Sequence, residues 1–320
     1  MDSENPAANL QQIFPAGDVF VVTDDEDLAG YAEERGLRTV RLDRVDDLPD
    51  GAAVVLFLCR NLVSREIRRR FRRLRVLLVP VASFDPSPEA AAYTLELTRH
   101  TDYRKACDWN RYWVRAISDE PGPLVFEGSG TSLECVLADR LSADAWYGEE
   151  IGVGGWISVG SYCEFSLTAP SSSDWHGAFT IDGTAVAAGV LVAKDARVTE
   201  AGAARIARAH ELRAELAARG PVTLRLDAGV LTTAEAGGED FTDALREVTN
   251  PDYGLHVLEL GIGTNMDLLP RVDWTRNSQL NEGAGPVHLG FGEGITGAHV
   301  DFIVAESGHR FGESRAVQPQ

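Results

Sequence analysis

Between residues 18 and 81, short apolar runs alternate with polar, helix-patterned stretches. The runs are "DVFVVT" (18–23), "RTVRL" (38–42), "AAVVLFLC" (52–59) and "RVLLVPV" (75–81), rich in valine and leucine. Strand, helix, strand at this spacing predicts a small parallel α/β layer. "EDLAGYAEERG" closes on Gly36, a helix stop. In "SREIRRRFRRLRV" (64–76), Ile67, Phe71 and Leu74 recur at i, i+4 and i+7, the spacing of a helix buried on one side. Its arginines then coat the other side, either as a solvated face or as a surface for an anionic partner. The first run is followed by "TDDEDL", with no glycine-rich turn, so NAD or FAD binding is not expected.

Beyond "SDEPGPL" (118–124), a linker candidate, the texture changes to period 2. "LVFEG", "SLECVLA", "YCEFSLTAP", "GAFTID" and "VTLRLDAGVLTTAEA" alternate apolar and polar positions between Gly- and Ser-rich turns. That pattern predicts a mostly antiparallel sheet. Two helices interrupt it: "EAGAARIARAHELRAELAARG" (200–220), and "GGEDFTDALREVTN" (237–250) with Asp240 placed to cap and Phe241, Leu245 and Val248 inward. The expected organisation is an α/β N-terminal domain over 1–118 and an α+β C-terminal domain over 119–320, the latter with a mixed, largely antiparallel sheet.

Composition narrows the class. The 320 residues are 44% hydrophobic and 25% charged, with a formal net charge of −19. Such a surface repels phosphate backbones, so a nucleic acid partner is not expected; a small molecule, peptide or cation is. No run reaches the roughly 20 apolar residues of a membrane span, and "MDSENPAANLQQIF" has no signal-peptide pattern. Cys59, Cys107, Cys135 and Cys163 form no CxxC pair, the usage of a reduced, cytoplasmic protein.

The chemistry collects in "GPVHLGFGEGITGAHVDFIV" (285–304), which reads as two strands. His299 and Asp301 stand at i and i+2, so on a strand both point to one face, about 6.6 Å apart at Cα. His288 is followed by Gly290 and Gly292, residues that permit close approach of another group. Alone, His-x-Asp fits a hydrogen-bonded structural pair as well as a ligand pair. Carboxylates in other apolar segments shift the balance: Glu164 in "SYCEFSLTAP", Glu259 in "HVLELGIGTN" and Glu282 in "LNEGAGPVH". Carboxylates are rarely buried unless paired or metal-bound. His176 in "DWHGAF" faces either the pocket or solvent. "DWNRYW", with Trp109, Tyr112 and Trp113, either packs domains together or lines a cavity. Cys163, beside Glu164, reads as a small apolar filler, with a nucleophile as the alternative.

These segments carry a resemblance. "CEFSLTAPSSSDWHGAFTID" resembles a block in which glutamate precedes a Thr-Ala-Pro turn and an Asn/His-Gly strand. "LELGIGTNMDL" is similar to E-(L/F)-G-(I/L)-G-T-N, "NEGAGPVHLGFG" to E-K-x-x-G-T-x-H-(I/L)-A-x-G, and "AHVDFIV" to a closing H-x-D. In this order, over roughly residues 122–305, they resemble the aminopeptidase T / leucyl aminopeptidase-like metallopeptidases. That resemblance implies a dinuclear divalent-metal site (Zn, Co or Mn) with Glu164, Glu259, Glu282, His288, His299 and Asp301 as ligands. It also implies Glu282 as proton shuttle, His176 and Asn265 beside the substrate, a homodimer, and aminopeptidase-like hydrolysis of an amide or peptide bond. The chain departs from it at Ile295, where the family has tyrosine, and at Gly283 and Pro286, where it has lysine and threonine. "YGLHVLELGIG" and the Pro-Arg-x-x-Trp that follows also resemble the ring-cleaving dihydroxypyridine dioxygenases, which would imply a single Fe(II) instead. There the position of Glu259 is histidine, so the carboxylate-rich pattern favours the hydrolase.

Overall fold

The computed structural model describes residues 7–14, 17–120, 122–138, 141–169, 179–250 and 252–312. Its strands, in chain order, are β1 Val19–Thr23, β2 Arg38–Arg41, β3 Ala53–Phe57, β4 Arg75–Val79, β5 Leu124–Gly128, β6 Thr131–Leu137, β7 Ser142–Asp144, β8 Trp156–Ser158 and β9 Glu164–Thr168. They continue with β10 Phe179–Ala187, β11 Gly189–Ala193, β12 Val222–Asp227, β13 Val230–Ala236, β14 Glu239–Asp240, β15 Val257–Gly263, β16 Val287–Phe291, β17 His299–Val304 and β18 Gly308–Phe311. The chain divides into two compact units, neither an unbroken segment. The first comprises Met1–Asn110, Ala145–Glu164 and Thr264–Ala284, and the second Arg111–Asp144, Phe165–Gly263 and Gly285–Gln320.

The first unit is built on a parallel five-stranded sheet, ordered β2-β1-β3-β4-β8. Its central strands are continuous apolar runs because both faces are covered. Ala53, Val55 and Phe57 of β3 join one core cluster with Leu77 and Val79. The alternate residues Val54 and Leu56 join another with Val76 and Leu78. Helix α1, Glu26–Glu34, gives Leu28 and Ala32 to the first face and stops before Gly36, whose φ is +73°. Helix α2 is shorter than the apolar spacing over 64–74 predicts, covering only Arg65–Arg70 after a Ser64 cap. The chain must turn back into β4 at Arg75, so Phe71 and Leu74 reach the second face from a turn rather than from a helix. Of the arginines, Arg70 pairs with Asp46 and Arg73 with Asp50, while Arg68 lies over the Trp156 ring.

The second unit holds two sheets. One has the order β14-β13-β12-β10-β6-β5-β18 and is antiparallel throughout. Its strands show the half-buried alternation, as in Val222, Leu224 and Leu226 inward with Arg225 and Asp227 outward. The run 222–236 is two strands, not one. Ala228 and Gly229, with φ of +50° and +78°, make the tight turn between them. The other sheet has the order β11-β17-β16-β15-β9-β7, with β11, β17, β16 and β15 mutually antiparallel.

The helix Glu200–Arg219 follows its sequence pattern, with Thr199 capping and Ile206, Leu212 and Leu216 buried. The next helix covers only Thr242–Val248, because Glu239 and Asp240 pair with β13 instead. Asp240 still accepts from the Thr242 N–H, and Phe241, Leu245 and Val248 are buried as the spacing demands. No helix among the described residues is long and apolar enough to cross a membrane.

Candidate metal centre

Three adjacent strands of the second unit build the site. In the ladder β15–β16–β17, Glu259 is opposite Gly290 and Gly290 is opposite Asp301. The three residues form one row across the sheet, with a glycine in the middle. Strands stand about 4.8 Å apart, so Glu259 and Asp301 flank a gap that Gly290 leaves open. His288, two residues before Gly290, and His299, two before Asp301, add side chains to the same face.

The contacts show how little room is spare. Nε2 of His299 lies 2.9 Å from Asp301 Oδ1 and 3.4 Å from Glu259 Oε2. Nε2 of His288 lies 3.9 Å from Glu259 Oε1. A Cβ on Gly290 would come within 2.8 Å of Asp301 Oδ1 and 2.9 Å of the His299 ring. One on Gly261, opposite His288 in the ladder, would lie 1.9 Å from its Cε1. Two glycines thus shape the cradle.

Second contacts aim the donors. Nδ1 of His299 stands 2.8 Å from the Gly292 carbonyl, so Nδ1–H donates there and Nε2 faces the carboxylates. The Ser166 hydroxyl donates to Glu259 Oε1. Asp301 is 1% exposed, yet neither of its oxygens accepts a well-directed hydrogen bond, the His299 contact being an ion contact only. A buried carboxylate with that much unused acceptor capacity fits a cation. One ligand atom from each of Glu259, His299 and Asp301 lies within 4.8 Å of the others. A set of carboxylate and imidazole donors suits Zn, Co, Mn or Fe(II).

Electrostatics bind the group tightly. Burial lowers the His299 pKa, but the adjoining Asp301 and Glu259 carboxylates outweigh it and hold the ring well above its ordinary value. Burial raises the Glu259 pKa, and the two imidazoles beside it, His288 and His299, outweigh that and hold it far below. The stabilisation from charged His299 is therefore full below about pH 6.5 and fades as pH rises through its raised pKa; that from Glu259 is present above about pH 4.5 and fades as pH falls through its depressed one. A cation needs Nε2 of His299 without its proton. Zinc or manganese affinity should rise about tenfold per pH unit up to that raised pKa, with about one proton released per ion bound. Calorimetric titration in buffers of different ionisation enthalpy measures both. A pH-independent affinity would show that His299 is no ligand.

Four of the residues singled out in the sequence are thus brought together in the second unit: Glu259, His288, His299 and Asp301. Glu164 and Glu282 belong to the first unit and are both buried. Glu282 sits in a tight 3-10 segment, Gln279–Ala284, rather than in an open glycine loop. Asn265, also in the first unit, is buried, and its amide donates to Thr101 Oγ1 at 3.0 Å and to Cys163 Sγ at 3.5 Å. It lines a 90 Å³ cavity there with Lys105, Trp109 and Asp267. His176 lies outside the described residues. Trp113 packs within the second unit against His309, ring centres 4.5 Å apart, and against Phe311. Burial, followed by the charge of Glu164, drives the Cys163 thiol far up, which makes it inert filler. Sequence reasoning missed Gly261 and Ser166. The signal for Gly261 was its place two residues after Glu259, on the same strand face.

A family model described as "Crocagin biosynthetic protein CgnE/B" matches residues 16–312. No curated protein matches. Among solved structures, the 2,5-dihydroxypyridine dioxygenase of Pseudomonas putida KT2440 is 12% identical, with a TM-score of 0.49, over 98% of this chain and 95% of that one. Wild-type AmpT from Thermus thermophilus is 13% identical, with a TM-score of 0.47, over 95% and 92%. Neither likeness bears on what this chain does.

Proposed function

The chain belongs to the crocagin biosynthetic protein CgnE/B family, and from that premise we propose that it is a metal-dependent hydrolase acting on an amide bond of a biosynthetic intermediate. The observation that carries this reading is the row Glu259–Gly290–Asp301 with His299 beside it: three ligand-type side chains converging on a gap that Gly290 leaves open, with His288 3.9 Å from Glu259. Glu259, His299 and Asp301 would hold the cation, with His288 standing next to Glu259. When bound, it supplies Lewis acidity toward a carbonyl and lowers the pKa of water toward about 7. The chain's own residues do the positioning. The Gly292 carbonyl fixes the His299 ring, and Ser166 fixes Glu259. Low dielectric around His288 and Asp301 strengthens each charge interaction.

By resemblance the proposal extends to Glu164 as a further ligand and to Glu282 as the proton shuttle. The test is metal content of the purified protein, followed by turnover of aminoacyl-anilides with added Zn, Co or Mn. Two such ions per chain and metal-dependent release of the amine support the hydrolase. One Fe(II), with oxygen-dependent loss of an aromatic absorbance, would replace it with a dioxygenase. Glu282→Gln should keep the metal and lower turnover at least about a hundredfold, the scale of a lost acid–base group; full turnover would remove Glu282 from the mechanism.

A second reading is a binding protein that holds metal and ligand without turnover. It draws on Ile295, which stands where the aminopeptidase T-like metallopeptidases that the chain resembles have tyrosine. The Ile295 carbonyl takes the Thr199 N–H at 2.9 Å, so the β16–β17 connection is committed to the helix N-terminus. Metal retention without turnover of any amide would favour it.

A further inference from the structure

The first unit contains a cleft of 290 Å³ that the metal centre does not use. Its volume is at the low end for small-molecule sites, which run from about 300 Å³ upward. Its position follows from topology. β2 lies on one side of β1, and β3 and β4 on the other, so the chain reverses its course across the sheet between β1 and β3. Helix α1 accordingly packs on one face and α2 on the opposite one. The loops leaving β1 and β3 part, and a crevice opens outside the carboxyl ends of the strands. Open parallel sheets bind ligands at that place. The cleft is lined by the ends of β1 and β2, the residues after β3, and Arg70 of α2.

The lining carries both signs of charge, in two distinct uses. Asp24 is spent on structure: it accepts from the backbone N–H groups of Cys59, Arg60 and Asn61 at 2.7, 3.2 and 2.8 Å, and from the Asn61 amide at 2.8 Å. Asp25 caps α1 through the Leu28 N–H at 2.9 Å and is buried. The rim is different. Arg41, 59% exposed, reaches Glu26 and Asp43, themselves 74% and 68% exposed. Arg60, 61% exposed, reaches Asp25 with one edge of its guanidinium. Exposed ion pairs contribute little to stability, so a ligand that brings equivalent charges exchanges with them at little cost. An anion alone would meet Glu26 and Asp43; a cation alone would meet Arg41, Arg60 and Arg70. A molecule carrying both charges close together satisfies both sets.

We propose that this crevice binds a small zwitterion of the free α-amino-acid class, its carboxylate taken by Arg41 and Arg60 and its ammonium by Glu26 and Asp43. Planar guanidinium forks match a carboxylate, and the cleft volume admits a molecule of that size. The site is independent of the metal centre and of the reaction proposed there.

The experiment is calorimetric titration of the full chain with L-alanine, L-glutamate and L-arginine. Acetate, methylammonium and inorganic phosphate serve as probes that carry one sign of charge only. Saturable binding of at least one amino acid at millimolar concentration or below is expected, with acetate and methylammonium not binding. Arg41→Gln and Glu26→Gln should each weaken binding about tenfold or more, the loss of one charge-assisted contact. Both side chains are exposed, so the thermal midpoints of these variants should match that of the unmodified protein. Three results overturn the proposal: no saturable binding of any amino acid, acetate or phosphate binding at least as tightly, or binding that either variant leaves unchanged.

Discussion

The double variant His299→Ala/Asp301→Ala is expected to lose its divalent cation outright while keeping its fold. Removing one supporting hydrogen-bond partner of a metal ligand costs about 10- to 100-fold in affinity, and two direct donors must cost more, so a fall of at least about 10³-fold is expected. The fold should survive because the pair leaves together. Asp301 alone would leave the His299 imidazolium facing only Glu259, and His299 alone would strand a buried carboxylate with no hydrogen bonds. Breaking one side of a buried pair is the costly change, whereas removing both avoids an uncompensated charge. Thermal unfolding with and without zinc reads both effects. In the unmodified protein, metal at 100 times its dissociation constant should add about 2.7 kcal/mol of stability. The variant should unfold at the same temperature with and without it. If the variant bound zinc as tightly as the unmodified chain, the cation would lie elsewhere.

The glycines should matter nearly as much as the ligands. Gly261→Ala places a methyl 1.9 Å from His288 Cε1 and 2.1 Å from Nε2, a distance no rotamer adjustment of alanine relieves. The ring must leave its place or β15 and β16 must separate. Gly290→Ala meets Asp301, Glu259 and His299 at 2.8–2.9 Å and fills the gap between the two carboxylates. Overpacking of this kind costs about 1–3 kcal/mol, with Gly261→Ala at or beyond the upper end. Both variants should bind zinc at least about tenfold more weakly. Gly30→Ala is the control: it lies in α1 with nothing within 4 Å of the added methyl. Helix propensity there favours alanine by up to about 1 kcal/mol, so this variant should be neutral or slightly more stable. Unchanged zinc affinity in Gly290→Ala would mean that the cation does not occupy the gap between Glu259 and Asp301.

The balance between local and tertiary information can be read residue by residue. Strand periodicity is local, so "AHVDFIV" by itself places His299 and Asp301 on one face with Val300 and Phe302 on the other, and the ladder agrees. The continuous runs at β3 and β4 announce a buried parallel sheet for the same reason: each residue's neighbours in the chain already state how many faces must be apolar. Helix ends were less legible. Arg65–Arg70 and Thr242–Val248 stop short of their apolar patterns because a turn into β4 and a pairing with β13 compete for the terminal residues.

What the chain by itself determined, then, is which residue types lie on which strand face, because a period of 2 needs no partner. Only the tertiary structure decided that Glu259, Gly290 and Asp301 fall in one row. Register between strands is set by the packing of a whole sheet, and a shift of one residue would turn Gly290 away and close the gap. The same holds for the unit boundaries and for the crevice beside β1. Segments 145–164 and 264–284 return to the first unit through long-range contacts, and the reversal of strand order that opens the crevice exists only once β3 has been added on the far side of β1 from β2.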